Sequence, residues 1–400
     1  MTTVITLLLT VIIDIMGIGL VFPVLPELFS ISNNHFLVSH SHLYQLFCIT
    51  MMIVPFGWTV SGLFIGCLAD QYGRKTLILY SLIMSTLSYL VSTYAISHHL
   101  LYLFLFSRLL VGISGGCFCL VQTVMCDIAP EGKLSQYLAW VNCASALGFV
   151  SGALVTSLSS WKSIAFDVTL PFWIGAIMSA LNASMVMLFV KESSNHLTSG
   201  TNVSNSVFQA VRSLYLSDAT RNLLISFFLI EVAWGIYLQA SPMILSQYYH
   251  YSTNHIALFY LGYGLCAAAT IMFIQPIFEK HFSYEFANPW LSWLVKASIF
   301  FTFIASSNFM NVFGMILSTC AEFLLFTGVL VMISQQSEDS SRGQTLGLVS
   351  TLMGASFLFS DWIIMLLESN LIKFNLLIVA VLLPGFYFLS TKTITKEITA

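Results

Sequence analysis

The sequence contains very little charge. Its 400 residues include only 14 Lys and Arg and 17 Asp and Glu, so 8% of the chain is charged, against roughly 25% in soluble domains. Hydrophobic residues make up 58%, and a water-soluble fold could not cover that much apolar surface with so few charges. The chain is therefore expected to be surrounded by lipid. Its net charge of −3 is too small to indicate a nucleic acid or an acidic partner.

Patterns that would indicate other classes of protein are also missing. The eight cysteines fall inside apolar runs and have the spacing neither of a disulfide framework nor of a zinc site. The histidines form no metal constellation, and no nucleotide-binding motif appears, so ATP is not expected to supply energy. No nucleophile–base pair indicates an enzyme. The N-terminal run lacks the basic region and cleavage site of a signal peptide and is predicted to be a retained span.

Long apolar runs are abundant. A lipid core about 30 Å thick needs about 20 apolar helical residues to cross it. Twelve runs meet this need, near residues 4–22, 46–68, 76–96, 100–125, 137–158, 170–190, 223–245, 256–278, 290–307, 309–333, 346–367 and 371–390. Only helices or closed barrels satisfy the backbone in lipid, and no two-residue alternation indicates a barrel. We predict an all-α integral membrane protein with twelve transmembrane helices.

The distribution of Lys and Arg predicts the orientation of these spans. With the N-terminus inside, ten of these residues fall on the inner side, and only Lys162 and Lys373 fall on the outer side. Because inner loops are enriched in basic residues, both termini are predicted to be cytoplasmic.

A polar stretch separates six spans from six. The predicted organisation is a first bundle at 1–190, a cytoplasmic linker at 191–221, a second bundle at 222–391 and a cytoplasmic tail at 392–400. The halves carry a faint repeat, because "FIGCLADQ" and "FIQPIFEK" end the second and eighth spans and place Glu279 opposite Asp70. Repeated halves are an architecture of secondary transporters.

The polar turn between spans two and three reads "GCLADQYGRK", from Gly66 to Lys75. It resembles the loop motif G-x-L-A-D-x-x-G-R-K of the major facilitator superfamily. "DIMGIGLVFPVLPELF" in span one and "SRLLVGISGG" in span four resemble the drug/proton antiporter branch, which contains tetracycline and multidrug exporters. The resemblance implies the major facilitator fold, two six-helix bundles, and alternating-access transport driven by a proton gradient without a cofactor.

The fifth span departs from the antiporter pattern. Antiporters of this family usually carry Gly-Pro and paired glycines there, whereas this chain has Gly152-Ala153 and no proline. Ala144, Gly148 and Gly152 still recur every four residues, which predicts a small-residue face suited to close helix packing. The missing proline leaves the direction of transport open.

The loop motif is predicted to act as a charged latch between the two halves. Its predicted residues are Gly66, Asp70, Gly73, Arg74, Lys75 and Asp127. Gly73 permits a turn conformation that a side chain would penalise. The resemblance implies that Asp70 faces the N-terminal end of span eleven, where exposed N–H groups favour an anion. The alternative is a simple positive-inside anchor made by Arg74 and Lys75.

Ionisable groups inside spans are costly and are functional candidates by default. In the family that the sequence resembles, spans one, four, seven and ten line a central cavity, so the resemblance implies that Asp14, Arg108, Glu231 and Glu322 converge there. Asp361, in span eleven, is the fifth candidate for this cavity. Asp14 and Arg108 lie at similar depths and are hypothesised to pair, with Asp14 exchanging protons or contacting a cationic substrate; the alternative is a permanent structural pair. Glu231 and Glu322 lie on polar helix faces, and buried hydrogen-bonded residues are their alternative.

Two intramembrane groups are less clear. Asp361 shares a face of span eleven with Gly347 and Gly354, and a structural role is as well supported as a functional one. Lys296, in the second turn of the predicted span nine, is expected to reach the cytoplasmic headgroups.

The leading interpretation is a proton-coupled exporter of small lipophilic or cationic compounds in a bacterial inner (plasma) membrane. Its expected partners are a small-molecule substrate, protons and the lipid bilayer, with no nucleic acid, ATP or metal. One alternative is an importer, symporter or facilitator, of a metabolite, amino acid or siderophore. The other is a receptor or scaffold that transports nothing, although the loop motif argues against it.

Overall fold

A computed structural model describes residues 2–29, 35–38, 42–130, 134–159, 168–192, 218–304, 308–336 and 342–366. The side chains of a few helical residues, Gly66 and Asp70 among them, also lie outside the description. Every regular element in these ranges is helical, as predicted. The helices are α1 Thr2–Leu28, α2 Leu43–Tyr72, α3 Arg74–Ser97, α4 Leu101–Ser114, α5 Cys117–Ile128, α6 Leu134–Ser159, α7 Leu170–Phe189, α8 Asp218–Gln247, α9 Thr253–Ala269, α10 Gln275–His281, α11 Tyr284–Ile304, α12 Asn308–Gln336 and α13 Arg342–Leu366.

Ten helices in the described part of the chain are long and apolar enough to cross a membrane. They correspond to predicted spans one to eight, ten and eleven. The predicted ninth span is a helix of 21 residues, α11, which begins at Tyr284 and thus several residues before the prediction. The predicted twelfth span, 371–390, and most of the predicted linker, 191–221, lie outside the described residues.

Two spans are interrupted. Gly115 and Gly116 form a turn that divides the fourth span into α4 and α5. A π-helical segment, Thr270–Ile274, connects α9 to α10 within the eighth span. A turn within a helix frees backbone groups from their helical hydrogen bonds, and a π-helical segment changes the direction in which the following side chains point. π-Helical segments are frequent at functional sites.

The first half is organised around contact between α1 and α6. A Cβ on Gly148 would lie 2.7 Å from the Cβ of Ile15, and a Cβ on Gly152 would lie 2.5 Å from the backbone N of Leu20. Such distances leave room only for hydrogen, so the two backbones touch. The predicted small-residue face of the fifth span is confirmed, and its partner is the first span.

The two halves meet along two pairs of helices, α2 with α13 and α6 with α9. In the first pair, a Cβ on Gly354 would lie 3.1 Å from the backbone N of Thr59. In the second, a Cβ on Gly264 would lie 2.9 Å from the carbonyl O of Ala146. Glycines therefore permit close approach at both seams between the halves.

Side chains join the halves on the side that is predicted to be outer. The Tyr44 hydroxyl donates a hydrogen bond of 2.6 Å to the carbonyl of Ile364. The Thr253 hydroxyl donates to the Glu27 carboxylate at 3.4 Å. We call these two contacts the outer seal. At the opposite end of the eighth span, α10 contains no buried residue.

Candidate functional site

A cavity of about 130 Å³ lies between the two halves. Most of its wall is apolar and aromatic. The aromatic lining residues are Phe22, Trp58, Phe118, Phe149, Trp234, Tyr263, Phe323, Phe326 and Phe357. Of the five predicted cavity residues, Arg108, Glu231 and Glu322 lie on this wall. The cavity is thus a largely apolar chamber with a few ionisable groups, which is typical of sites for small organic molecules.

Arg108 comes from α4 and is 1% exposed. Its Nη2 donates a hydrogen bond of 2.5 Å to the Ser92 hydroxyl. The guanidinium carbon lies 5.9, 5.3 and 5.1 Å from the ring centroids of Tyr89, Phe104 and Phe172. These rings stabilise the cation by cation–π contact. The Nε atom is buried and has no hydrogen-bond partner.

Glu231 and Glu322 come from the second half and are 1% and 2% exposed. Glu231, Trp234 and Leu238 all line the cavity, because a spacing of three and four residues places them on one face of α8. The Oε1 atom of Glu231 and both carboxylate oxygens of Glu322 are buried without a hydrogen-bond partner. The two carboxyl groups are close enough for their charges to interact.

Asp14 lies one turn beyond this wall. It shares a face of α1 with the cavity residues Ile18, Val21 and Leu25 and is half-buried. Its carboxylate faces the backbone N–H of Phe118, in the first turn of α5. The Phe118 N–H also donates a long hydrogen bond of 3.4 Å to the carbonyl of Gly115 in the turn before α5, and N–H groups in the first turn of a helix favour an anion.

Asp14 and Arg108 do not form the ion pair that the sequence hypothesis proposed. No hydrogen bond or ion pair joins these two described side chains, and Arg108 contacts Ser92 and aromatic rings instead. The buried Tyr89 interacts electrostatically with both groups. Similar depth in the membrane therefore did not bring the two side chains into contact.

Asp361 is buried in α13 at 1% exposure, outside the cavity wall. It interacts electrostatically with Cys48, on the facing helix α2. Its Oδ2 atom has no hydrogen-bond partner. The structure thus places it in the seam between the halves and close to the outer seal.

The loop motif forms a compact junction at the predicted cytoplasmic face. Gly73 has φ 88°, the left-handed conformation that glycine adopts without strain. Arg74 makes an ion pair with Asp127 at the end of α5. The Lys75 ammonium donates to the carbonyl of Met187 at 2.9 Å. The side chains of Asp70 and of the first turn of α13, which the latch hypothesis joins, lie outside the description.

Glu192 is part of this junction, and sequence reasoning missed it. Its carboxylate accepts hydrogen bonds from the backbone N–H groups of Arg74, at 3.0 Å, and Lys75, at 3.2 Å. Glu192 therefore caps the N-terminus of α3 from the end of the sixth span, where an anion is favoured. The only available indication was an acidic residue directly after the sixth apolar run.

Lys296 differs from its prediction. Because α11 begins at Tyr284, Lys296 lies about 18 Å along the helix instead of in its second turn. Its ammonium lies 4.3 Å from the ring centroid of Trp293, and the residue is buried. It is therefore held within the span by an aromatic ring. No group of three or more His, Cys, Asp or Glu suited to a metal occurs among the described residues.

The family model of the Major Facilitator Superfamily matches residues 7–360. The chain belongs to this superfamily. It is a multi-pass membrane protein of a transporter family, not an enzyme.

Curated relatives are similar to it at low identity. The class H tetracycline resistance protein of Pasteurella multocida is 27% identical over 194 residues, which cover 48% of this chain and 44% of the relative. The class B tetracycline resistance protein of Escherichia coli is 24% identical over 370 residues, covering 89% and 85%. The quinolone resistance protein NorA of Staphylococcus aureus is 26% identical over 278 residues, covering 67% and 65%. The match to the class H protein thus spans less than half of that relative.

Solved structures share the fold. The human organic anion transporter MFSD10 superposes with a TM-score of 0.75 at 16% identity, covering 98% of both chains. A D-xylose–proton symporter superposes with a TM-score of 0.74 at 14% identity, covering 96% of both chains. At this identity the likeness shows the fold and carries no information about the substrate.

Proposed function

We propose that the protein is a proton-coupled exporter of small lipophilic or cationic molecules in the inner membrane of a bacterium. The observation that carries this proposal is the pair of buried, unpartnered carboxyl groups, Glu231 and Glu322, on the wall of an aromatic cavity between two halves. Carboxyl groups in such a place bind either a proton or a cation, which is what an exchanger requires. The relatives named as tetracycline and quinolone resistance proteins support export.

In this proposal Asp14 exchanges the proton. It is half-buried beside the cavity, and it faces the start of α5 without being neutralised by Arg108. A carboxyl group in that position can release a proton when the cavity opens to water and bind one when it closes. A proton gradient would supply the energy, with no cofactor and no ATP.

The loop motif is proposed to act as the charged latch, with Gly66, Asp70, Gly73, Arg74, Lys75 and Asp127. The Arg74–Asp127 ion pair and the Glu192 cap support it, because they fix the turn that follows Asp70 and the end of α2. Alternating access would then require this latch and the outer seal to open in turn.

An importer on the same fold is a second candidate. It is favoured by one observation, the absence of proline at Gly152-Ala153 in the fifth span. A non-transporting receptor or scaffold is the third, and it gives no reason for a switching latch.

The test is transport by the purified protein in proteoliposomes with an imposed pH gradient, using a panel of dyes, antibiotics and siderophores. We expect gradient-driven exchange of lipophilic cations, and we expect Asp14→Asn to abolish the dependence on the gradient. Glu279→Gln is the matched control, because Glu279 is an exposed acid bonded to Gln275 and Tyr284, away from the cavity. An Asp14→Asn protein still driven by the gradient would refute the role of Asp14. Absence of exchange for the whole panel would refute the exporter.

A further inference from the structure

The cavity wall carries a basic group on one half and two acidic groups on the other. Arg108 belongs to the first half, and Glu231 and Glu322 belong to the second. Among these described side chains, no hydrogen bond or ion pair joins the guanidinium to either carboxyl group. The cavity therefore has a basic pole and an acidic pole that do not neutralise each other.

Both poles have unused hydrogen-bonding capacity. On the basic side, the Nε atom of Arg108 has no hydrogen-bond partner. On the acidic side, one carboxylate oxygen of Glu231 and both of Glu322 have none. All three residues are at least nine-tenths buried. Burying an ionised group without a partner is strongly unfavourable, and a bound group of opposite charge removes that cost.

A ligand with only one charge would satisfy only one pole. An organic cation would leave Arg108 unpaired, and an organic anion would leave both glutamates unpaired. A molecule with an acidic group at one end and a basic group at the other satisfies both. Its anionic group would form a charge-assisted hydrogen bond to the guanidinium, and its ammonium group would do so to the carboxylates.

The space between the poles suits an aromatic body. Trp234, Tyr263 and Phe323 line the wall beside the glutamates, and Phe118 lines it in the first half. The cavity volume of about 130 Å³ is similar to that of an engineered cavity of about 150 Å³ that binds benzene. In this conformation there is room for one aromatic ring with short substituents.

We propose that the cavity binds zwitterionic aromatic compounds, with the anionic group at Arg108 and the cationic group at Glu231 and Glu322. This inference rests on the proposed function, since it names the substrate class of the same cavity. It adds that Arg108 recognises the substrate and that a pure cation is a poorer ligand than a molecule with both charges.

The experiment compares three small probes that share one ring: 4-(aminomethyl)benzoate, benzylamine and benzoate. Binding to the full-length protein in lipid nanodiscs is measured by calorimetry at neutral pH, without any gradient. We expect 4-(aminomethyl)benzoate to bind about tenfold or more tightly than either singly charged probe, since a charge-assisted hydrogen bond is added. Equal affinities of the zwitterion and benzylamine for the unaltered protein would overturn the proposal.

Variants assign the poles. Arg108→Gln should bring the affinity ratio of zwitterion to benzylamine to about one, and the double variant Glu231→Gln with Glu322→Gln should do the same for the ratio of zwitterion to benzoate. Lys296→Gln removes a buried cation outside the cavity and should leave both ratios unchanged. If Arg108→Gln does not fold, Arg108→Met tests the same point, because it also removes the positive charge and keeps an unbranched, adaptable side chain. An unchanged ratio in a folded Arg108 variant would overturn the assignment.

Binding and transport can fail separately. If the affinity order holds but proteoliposomes show no exchange under a pH gradient, the proposed exporter is refuted and the zwitterion site stands. If gradient-driven exchange occurs but the zwitterion has no advantage in binding, this inference is refuted and the exporter stands.

Discussion

Gly73 shows how a single residue fixes the cytoplasmic junction. It ends α2 and precedes α3 with φ 88°, a conformation that other residues adopt only with strain. A Cβ at this position would also collide with the carboxylate of Glu192, which caps α3. The residue therefore serves both the turn and the cap.

We expect Gly73→Ala to lower the thermal midpoint of unfolding, because it adds backbone strain of about 1 kcal/mol or more and displaces the cap. Tryptophan fluorescence of the purified protein during heating provides the measurement. Gly262→Ala is the matched control, since its new methyl group would meet only the end of the flexible Met315 side chain, at 3.1 Å. Equal midpoints for the two variants would contradict this account.

The sequence predicted Gly73 but not Glu192, and the reason is physical. A tight turn between two helices needs a residue with positive φ, which favours glycine, and the short spacing between two apolar runs reveals such a turn. A cap supplied from another helix depends on tertiary packing, and Glu192 lies 118 residues from Arg74. The residues that act locally were predictable, and those that act through packing were not.

At the scale of helices, the Arg74–Asp127 ion pair ties the start of α3 to the end of α5. Its side chains are 16% and 35% exposed, so water screens part of the attraction. The pair fixes the relative position of two helices within the first half. It thereby gives the loop motif a rigid base.

A double-mutant cycle with Arg74→Gln and Asp127→Asn should give a coupling free energy of about 0.2–1 kcal/mol, the range of partly exposed pairs. Unfolding in mixed micelles provides the four free energies. The charge-reversed protein, Arg74→Asp with Asp127→Arg, should recover part of the free energy of unfolding that the single variants lose. If the changes in the free energy of unfolding of the two single variants simply add up in the double variant, the ion pair does not link the helices.

The spans themselves were predictable because crossing lipid imposes a length and a hydropathy on each helix. The breaks were not. A Cβ on Gly116 would lie 2.9 Å from the Ile65 side chain of α2, so the need for glycine in the turn before α5 comes from a neighbouring helix. The start of α11 at Tyr284 was missed for another reason, because its first turns are too polar to read as membrane.

At the scale of the whole molecule, the outer seal links the two halves on the side that is predicted to be outer. It consists of the Tyr44–Ile364 and Thr253–Glu27 hydrogen bonds. An alternating-access cycle must break both, because the cavity behind them could not otherwise open to the outside. Locking the seal should therefore stop the cycle without changing the cavity.

The test introduces cysteines at Glu27 and Thr253 and joins them with a short cleavable bifunctional thiol reagent. Cross-linking should abolish transport, and cleavage of the linker should restore it. Two proteins that each carry only one of the introduced cysteines are treated in the same way. They control for the native thiols, which are buried or half-buried at the described positions. Full transport by a completely cross-linked protein would mean that this side never opens.

The central cavity was predicted in part. The resemblance placed Arg108, Glu231 and Glu322 together, and the structure brings all three to one wall. It did not predict that Arg108 would contact Ser92 and aromatic rings instead of Asp14, because depth follows from residue counting whereas rotation about the helix axis follows from packing. The polarity of the cavity therefore became visible only in three dimensions.

The π-helical segment Thr270–Ile274 makes the molecule less symmetric than its repeated sequence suggests. One additional residue in a turn rotates everything beyond it by about 100° relative to an α-helix. Glu279, which the repeat aligns with Asp70, lies beyond this twist and is bonded to Gln275 and Tyr284 on its own side. In the proposed mechanism the second half therefore contributes no counterpart of Asp70, and the charged groups that govern access from the cytoplasmic side all belong to the first half.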